Sequence, residues 1–312
     1  MCRTRRVVPA VVSLLLYAHS PCVHFAGAQT TDPRAQIAVS TAWLAQHLHD
    51  PDLVLLHVGD PKEYPATHIA GARFVSLQDV SVPEHGHDME KGLMLELPSP
   101  DSLRQQLQAL GISDRSRIVV YHANEWVSPS TRVVFALDAA GLGARTVWLD
   151  GGLTAWVAEG RPTTSEVPAR TVGTLAPLKI KPLVVDAAWV KAHLAAPGVR
   201  VVDGRAAVFY DGVEAGGPRK GHIAGAASVP FTEVTDDKGR LKSAAELEAL
   251  FTKAGVGPKD TVVAYCHIGQ QGTAVLFAAR TLGHPVRLYD GSFQEWSRRT
   301  DLPVENPAEG KR

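Results

Sequence analysis

Of the three cysteines in 312 residues, Cys2 and Cys22 fall within the first 22 positions, and the rest of the chain carries one thiol, Cys266. One thiol cannot close an intrachain disulfide, and no second cysteine is present to resolve a dithiol exchange. A disulfide-stapled scaffold and a dithiol oxidoreductase are therefore both excluded. Long apolar runs are also missing: after Ala18 nothing approaches the roughly 20 residues that a spanning helix needs. Charge of one sign is missing too, with 32 basic residues against 32 acidic ones and no Lys/Arg cluster. That balance gives little support for nucleic-acid binding.

What is present begins with a segment of a different kind. Arg3, Arg5 and Arg6 are followed by a mostly apolar run from Val7 to Ala18, and Ala26-Gly27-Ala28 precedes Gln29. This basic, apolar, small-residue order predicts a signal peptide over residues 1–28, and a periplasmic or secreted protein with no stable membrane insertion after cleavage. The alternative is a short anchor that stays attached. Pro21 directly before Cys22 argues against lipid attachment there. Removing the segment leaves 29 basic residues against 32 acidic ones, and Cys266 as the sole cysteine.

The remainder is written twice. His68-Ile69-Ala70-Gly71-Ala72 recurs as His222-Ile223-Ala224-Gly225-Ala226, and the stretch from Asp150 to Trp156 is echoed from Asp290 to Trp296. Between these marks Tyr121-His122 stands opposite Tyr265-Cys266. The shared order indicates duplication of one unit. Short valine-rich runs read as buried strands at 53–58, 118–121 and 146–149, and again at 199–202, 262–265 and 286–289. Periodic segments at 102–110, 244–253 and 273–282 read as helices, and Gly111, Gly141, Gly255 and Gly283 close helices. The alternation predicts an α/β fold with two tandem domains, each a mostly parallel sheet flanked by helices. Their expected bounds are 37–160 and 183–302, joined over 161–182 by a proline-containing connector laid on the surface. The tryptophans read as packing residues; Trp126, in the loop opposite that of Cys266, is a candidate for packing between the domains.

The second-half strand ending at Tyr265 delivers Cys266 to its carboxyl end, where open α/β sheets bind ligands. His267-Ile268-Gly269-Gln270-Gln271-Gly272 follows, and Thr273 leads into a helix. Backbone N–H groups of such a loop, with the helix amino end, favour an anionic sulfur, and Gly269 and Gly272 permit the backbone angles or close approaches it needs. Cys266 is therefore the expected nucleophile. His267 either tunes the thiol or contacts substrate, or else is structural; Gln270 and Gln271 offer neutral donors to oxyanions. Arg205 offers a planar fork to a sulfonate or carboxylate, and Asp203 orients either Arg205 or the Cys266 loop. A surface ion pair is the plain alternative. His222 recurs as His68 in the half without the cysteine, which favours a structural role.

Gly221 to Ala226, Tyr265-Cys266 with its glycine loop, and the Asp290-to-Trp296 signature together resemble the rhodanese family of thiosulfate and mercaptopyruvate sulfurtransferases, in tandem over nearly all of residues 37–300. The resemblance implies that Cys266 takes sulfane sulfur from a small donor as a persulfide and passes it to cyanide, a thiol or a protein acceptor, without metal, nicotinamide or flavin. It implies that Arg205 contacts the donor's anionic end, so that its loss weakens donor use far more than folding. Cys266-His267-Ile268-Gly269 matches neither the Cys-Arg-Lys-Gly start typical of the thiosulfate type nor the Cys-Gly-Ser-Gly start of the mercaptopyruvate type. Thiosulfate keeps a modest lead because His267 and the glutamines suit an inorganic anion; a mercaptopyruvate sulfurtransferase and a non-enzymatic persulfide carrier are the alternatives. A cysteine phosphatase is disfavoured because the loop from His267 to Thr273 has no arginine. The first half resembles a non-catalytic partner, with His122 in place of Cys266 and His57 and Gly59 in place of Asp203 and Arg205; Asn124, Glu125 and Trp126 are candidates to line the cleft.

Overall fold

Valine-rich runs flanked by polar helices build one five-stranded parallel sheet in each half. In the first, β1 (Ala38–Val39), β2 (Leu53–Val58), β3 (Arg73–Phe74), β4 (Arg117–His122) and β5 (Thr146–Leu149) lie in the order β1-β5-β4-β2-β3. In the second, β6 (Val184–Val185) and β7 (Val199–Asp203) come first. After the short β8 (His222–Ile223) follow β9 (Ala227–Ser228), β10 (Thr261–Tyr265) and β11 (Val286–Tyr289), and the sheet order is β6-β11-β10-β7-β9. The two orders are the same once strands are matched by position in the repeat. β8 pairs antiparallel with β12 (Val304–Glu305). The computed structural model describes residues 32–82, 92–124 and 126–309. The signal-like segment with Cys2 and Cys22, and Glu125, lie outside the described residues.

Local chemistry sets the helix ends. Ser99 caps the Pro100–Ala109 helix, with proline at its first position where no amide bond is lost. In the repeat copy, Ala244–Lys253, Ser243 and Glu246 cap each other reciprocally. Gly111, Gly141, Gly255 and Gly283 all take positive φ, as helix-closing glycines do. The Gln271–Thr281 helix starts two residues before the position expected from periodicity, because both the N–H and the hydroxyl of Thr273 donate to Gln270 O.

The connector is less superficial than expected. Residues 165–182 contain no helix or strand, but Leu175 is buried and Lys181 N–H donates to Ala139 O, so apolar side chains in it are drawn under the first half. One hydrophobic core runs through both halves, including Phe135, Leu137 and Trp148 from the first and Val275, Phe277 and Leu288 from the second. Two smaller cores include Leu44, Tyr121 and Trp156 in the first half and Tyr265, Phe293 and Trp296 in the second.

The seam between the halves is reciprocal. The Ser128–Ala139 helix packs on its repeat partner, Gln271–Thr281, and repeat-related residues meet: Thr131 Oγ1 and Thr273 Oγ1 are 2.9 Å apart, and Gln270 Nε2 donates to Ser128 Oγ at 3.0 Å. Asp150 accepts from Leu241 N–H at 2.9 Å, and its repeat partner Asp290 accepts from Leu97 N–H, also at 2.9 Å. Each aspartate also takes an arginine, Arg34 on Asp150 and Arg132 on Asp290. The arginine identities and their burial differ between the copies, so the symmetry is approximate where charge is concerned.

Candidate active site

Cys266 is the first residue beyond β10, at the strand end expected for it, but it has no solvent exposure. Its backbone is gripped from the Ser292–Trp296 turn: Cys266 N–H donates to Ser292 Oγ at 3.2 Å, and Phe293 N–H donates to Cys266 O at 3.0 Å. The N–H groups of His267, Ile268, Gly269 and Gln270 have no acceptor among the described residues, which leaves them available to an anion held on the loop.

Both loop glycines answer a spatial need. Gly269 takes φ +80°, and a Cβ there would lie 2.7 Å from Asp290 Oδ1. Gly272 lets the helix start pass Tyr265 and Gly204 at distances where a Cβ would stand 3.3 Å from the Tyr265 carbonyl carbon. Ile268 is half-buried. Gln270 does not face the loop with its amide; that group is turned into the seam toward Ser128, which corrects its expected role as a free donor to substrate oxygens. Thr273 likewise bonds Thr131 and Gln270 O and supports the loop from behind. Gln271 is half-buried, and its Oε1 has no partner.

Asp203 ends β7 directly opposite Tyr265 of β10. It orients Arg205, and the surface-pair alternative is overturned because both side chains are fully buried. Arg205 Nε donates to both carboxylate oxygens at 3.0 and 3.1 Å, and Nη2 donates to Oδ2 at 2.6 Å and to Gly221 O at 2.7 Å. The Tyr265 hydroxyl completes the shell on Asp203 at 2.7 Å; burial and the carboxylate push its pKa well above the ordinary phenol range, so it stays a donor. The guanidinium lies 4.0 Å over the Phe293 ring. One nitrogen is left over: Arg205 Nη1 is buried without a partner. A buried donor without an acceptor is costly, and an anionic ligand would satisfy it.

Gly216 lies over that nitrogen. A Cβ there would sit 2.8 Å from Arg205 Nη1 and 2.9 Å from His267 Cε1. His267 packs edge-on to Phe209, its ring centroid 4.6 Å away, and burial followed by the Arg205 charge lowers its pKa. At neutral pH it is therefore an uncharged imidazole beside the arginine, a polar neighbour rather than a second cation. A seam cavity of about 540 Å³ includes Glu96, Asp186, Asp290 and Glu295 in its lining but not Cys266 or Arg205. Its acidic lining suits an anionic donor poorly.

The first half repeats the scaffold without the chemistry. His57 takes the place of Asp203 and shares a 2.9 Å hydrogen bond with Tyr121, whose oxygen accepts from Ile69 N–H as Tyr265 accepts from Ile223 N–H. Gly59 stands where Arg205 stands; a Cβ there would meet His57 Nε2 at 2.8 Å. His122 fills the nucleophile position, stacked on Trp148 at 5.0 Å with neither ring nitrogen partnered, and burial holds it down to about 3. His222 is stacked on Tyr210 and bonded to its carbonyl, as His68 is to Tyr64. Trp126 is 54% exposed.

Comparison with known proteins matches the rhodanese-like domain twice, over residues 40–159 and 186–299. The chain belongs to the rhodanese family. A probable 3-mercaptopyruvate sulfurtransferase of Pseudomonas aeruginosa is 34% identical over 84% of this rhodanese and 95% of its own length. A thiosulfate sulfurtransferase of Azotobacter vinelandii is 29% identical over 86% and 97%. In fold, an anaerobic ergothioneine biosynthesis enzyme from Chlorobium limicola, solved with trimethyl histidine, superposes with a TM-score of 0.78 at 21% identity, over 88% of this chain and 71% of that one.

Two residues of the site escaped sequence reasoning in different ways. Ser292 stood in the repeated signature but gave no hint of touching Cys266, although its replacement of Gly152 between copies was a visible signal. Gly216 belongs to no repeat mark, and nothing in the sequence announces it.

Proposed function

We propose that this rhodanese is a sulfurtransferase whose Cys266 takes the outer sulfur of thiosulfate or a related anionic donor and hands it to cyanide or a thiol. The observation that carries the reading is the buried, unpartnered Nη1 of Arg205, fixed by Asp203, which stands across the sheet from Tyr265, the residue before Cys266. In the first step the Cys266 thiolate forms a bond to the outer sulfur, the donor S–S bond breaks, and sulfite leaves with the electron pair. In the second, cyanide or an acceptor thiolate attacks the persulfide's outer sulfur and the Cys266 thiolate is regenerated. Arg205 holds the donor's oxygens, the free loop amides face the charge on sulfur, and no proton transfer by His267 is needed.

Thiosulfate is favoured because its oxygens can accept from Arg205 Nη1 and from the unpartnered loop N–H groups together. Relatives named for both donor types leave 3-mercaptopyruvate as the competing donor. The basic, apolar and small-residue order of residues 1–28 supports an exported protein, with a protein persulfide acceptor as an alternative to a small thiol. Intact-mass measurement after thiosulfate treatment is expected to give a one-sulfur addition on Cys266 that cyanide removes as thiocyanate. The Cys266→Ser chain is expected to take up nothing. Absence of the addition in the wild-type chain with thiosulfate, and its formation with 3-mercaptopyruvate, would reverse the donor assignment.

A further inference from the structure

Ser292 is at φ +51°, one of two described residues other than glycine in the left-handed region. For an L-residue with a side chain this backbone conformation is unfavourable, and serine has no special aptitude for it. Its repeat partner, Gly152, has φ +52°, so the turn itself demands this geometry and glycine is the natural occupant. Serine stands where the facing residue is Cys266 and glycine where it is His122; in the first half a Cβ would meet the His122 ring at 2.8 Å.

The hydroxyl supplies what the strained position otherwise lacks. It donates to Tyr289 O at 2.9 Å and accepts the Cys266 N–H at 3.2 Å, while its neighbour Phe293 holds the Cys266 carbonyl at 3.0 Å. Tyr289 ends β11, and Cys266 follows the adjacent β10, so the hydroxyl ties the nucleophile's peptide unit to the sheet just where the ladder stops. With Ser292 fully buried, water is not on hand to replace that acceptor. Without the hydroxyl this peptide unit keeps only the Gly204 N–H on Tyr265 O, at 2.8 Å, and can tilt about that bond and carry Sγ away from the donors of the loop and from Arg205.

We infer that Ser292 is a positioning residue that fixes Cys266 for attack on the donor sulfur, an assignment that rests on the sulfurtransferase reading for its rate effect but not for its geometry. Ser292 exchanges no proton in the reaction, since its O–H stays on Tyr289 O throughout.

The test uses the full chain with Ser292→Gly, which relieves the backbone and removes the hydroxyl, and Ser292→Ala, which keeps the backbone demand and removes the hydroxyl. Single-turnover sulfuration of Cys266 by thiosulfate is expected to slow about tenfold or more in both, as misplacement of a reacting atom does. The half-saturating thiosulfate concentration is expected to stay within about twofold, because Arg205 is untouched. The melting temperature of Ser292→Gly should fall less than that of Ser292→Ala, since both lose the acceptor for the buried Cys266 N–H and only glycine also relieves the backbone. Alkylation of Cys266 by iodoacetamide, read by intact mass and needing no sulfur donor, should depart from the wild-type rate in both variants, because the buried thiol changes both its exposure and its contact with the loop donors. Wild-type rates of sulfuration and alkylation in Ser292→Gly overturn the inference, as does a loss carried entirely by weaker donor binding. If the wild-type chain takes no sulfur from any donor, the function reading fails, and the alkylation comparison alone decides the role of Ser292.

Discussion

Arg132 Nη1 lies 2.7 Å from Asp290 Oδ1 across the seam, with both side chains buried. The same arginine reaches Gly269 O in the Cys266 loop, and Leu95 O accepts from its other terminal nitrogen. Breaking a buried pair leaves an uncompensated charge, so Arg132→Ala is expected to destabilise the chain by about 3–5 kcal/mol. The partly exposed Arg34–Asp150 counterpart, whose arginine also donates to Lys242 O and Leu241 O, should cost less, about 1–2 kcal/mol, when Arg34 is replaced. Denaturant titration of the two variants checks the asymmetry, and equal losses would refute it.

Arg205 calls for a revised expectation. The family resemblance implies that its removal impairs donor use with little effect on folding; the fully buried Asp203 beneath it overturns that expectation. Arg205→Ala should therefore lose about 3–5 kcal/mol of stability as well as donor use. Arg205→Lys keeps the charge and loses the fork, and its half-saturating thiosulfate concentration is expected to rise about tenfold, or roughly 1.4 kcal/mol. Steady-state kinetics on the lysine variant separate donor binding from folding.

Two buried histidines of the first half set an acid limit on stability. Burial lowers His57 to about 4, with His68 adding to the effect, and lowers His122 to about 3. Below the ordinary value near 6.5 the unfolded chain binds protons that the folded chain refuses. Stability is therefore fully present above that value and is lost as pH falls toward the folded pKa values, at roughly 1.4 kcal/mol per unit for each histidine. Denaturation midpoints measured from pH 7 to pH 4.5 should show the fall. His122→Leu, which also removes two unpartnered nitrogens, should flatten it.

Gly216→Ala adds a Cβ 2.8 Å from Arg205 Nη1, the unpartnered nitrogen to which the proposed function assigns the donor. The site is expected to lose thiosulfate turnover several-fold while thermal unfolding moves little, since residues 213–215 and 217–218 are exposed. Wild-type kinetics in this variant would mean that the donor enters elsewhere.

Much of the architecture was legible because it depends on local pattern. Strands at 53–58, 146–149 and 286–289 fell where valine-rich runs placed them, and Gly255 and Gly283 closed helices as read. Cys266, Asp203 and Arg205 were legible because strand ends and charge types survive in one dimension. What was not legible is direction. Gln270 has the right chemistry for an oxyanion, yet its amide is spent on Ser128, and only the packing of two helices against each other decides that. Arg132 gave no signal, since a mid-helix arginine on an otherwise apolar segment has meaning only once Asp290 is brought to it from the other half.

Thr131 and Thr273 touching each other has a consequence of its own. Self-meeting of equivalent residues is the mark of an isologous contact between identical subunits, here carried inside one polypeptide. Covalent fusion releases such a contact from the obligation to be identical on both sides. Arg132 stands on one face and Ala274 on the other, and one lobe carries His122 where the other carries Cys266. The arrangement also fixes stoichiometry: every Cys266 lobe is made with one His122 lobe attached, at any concentration.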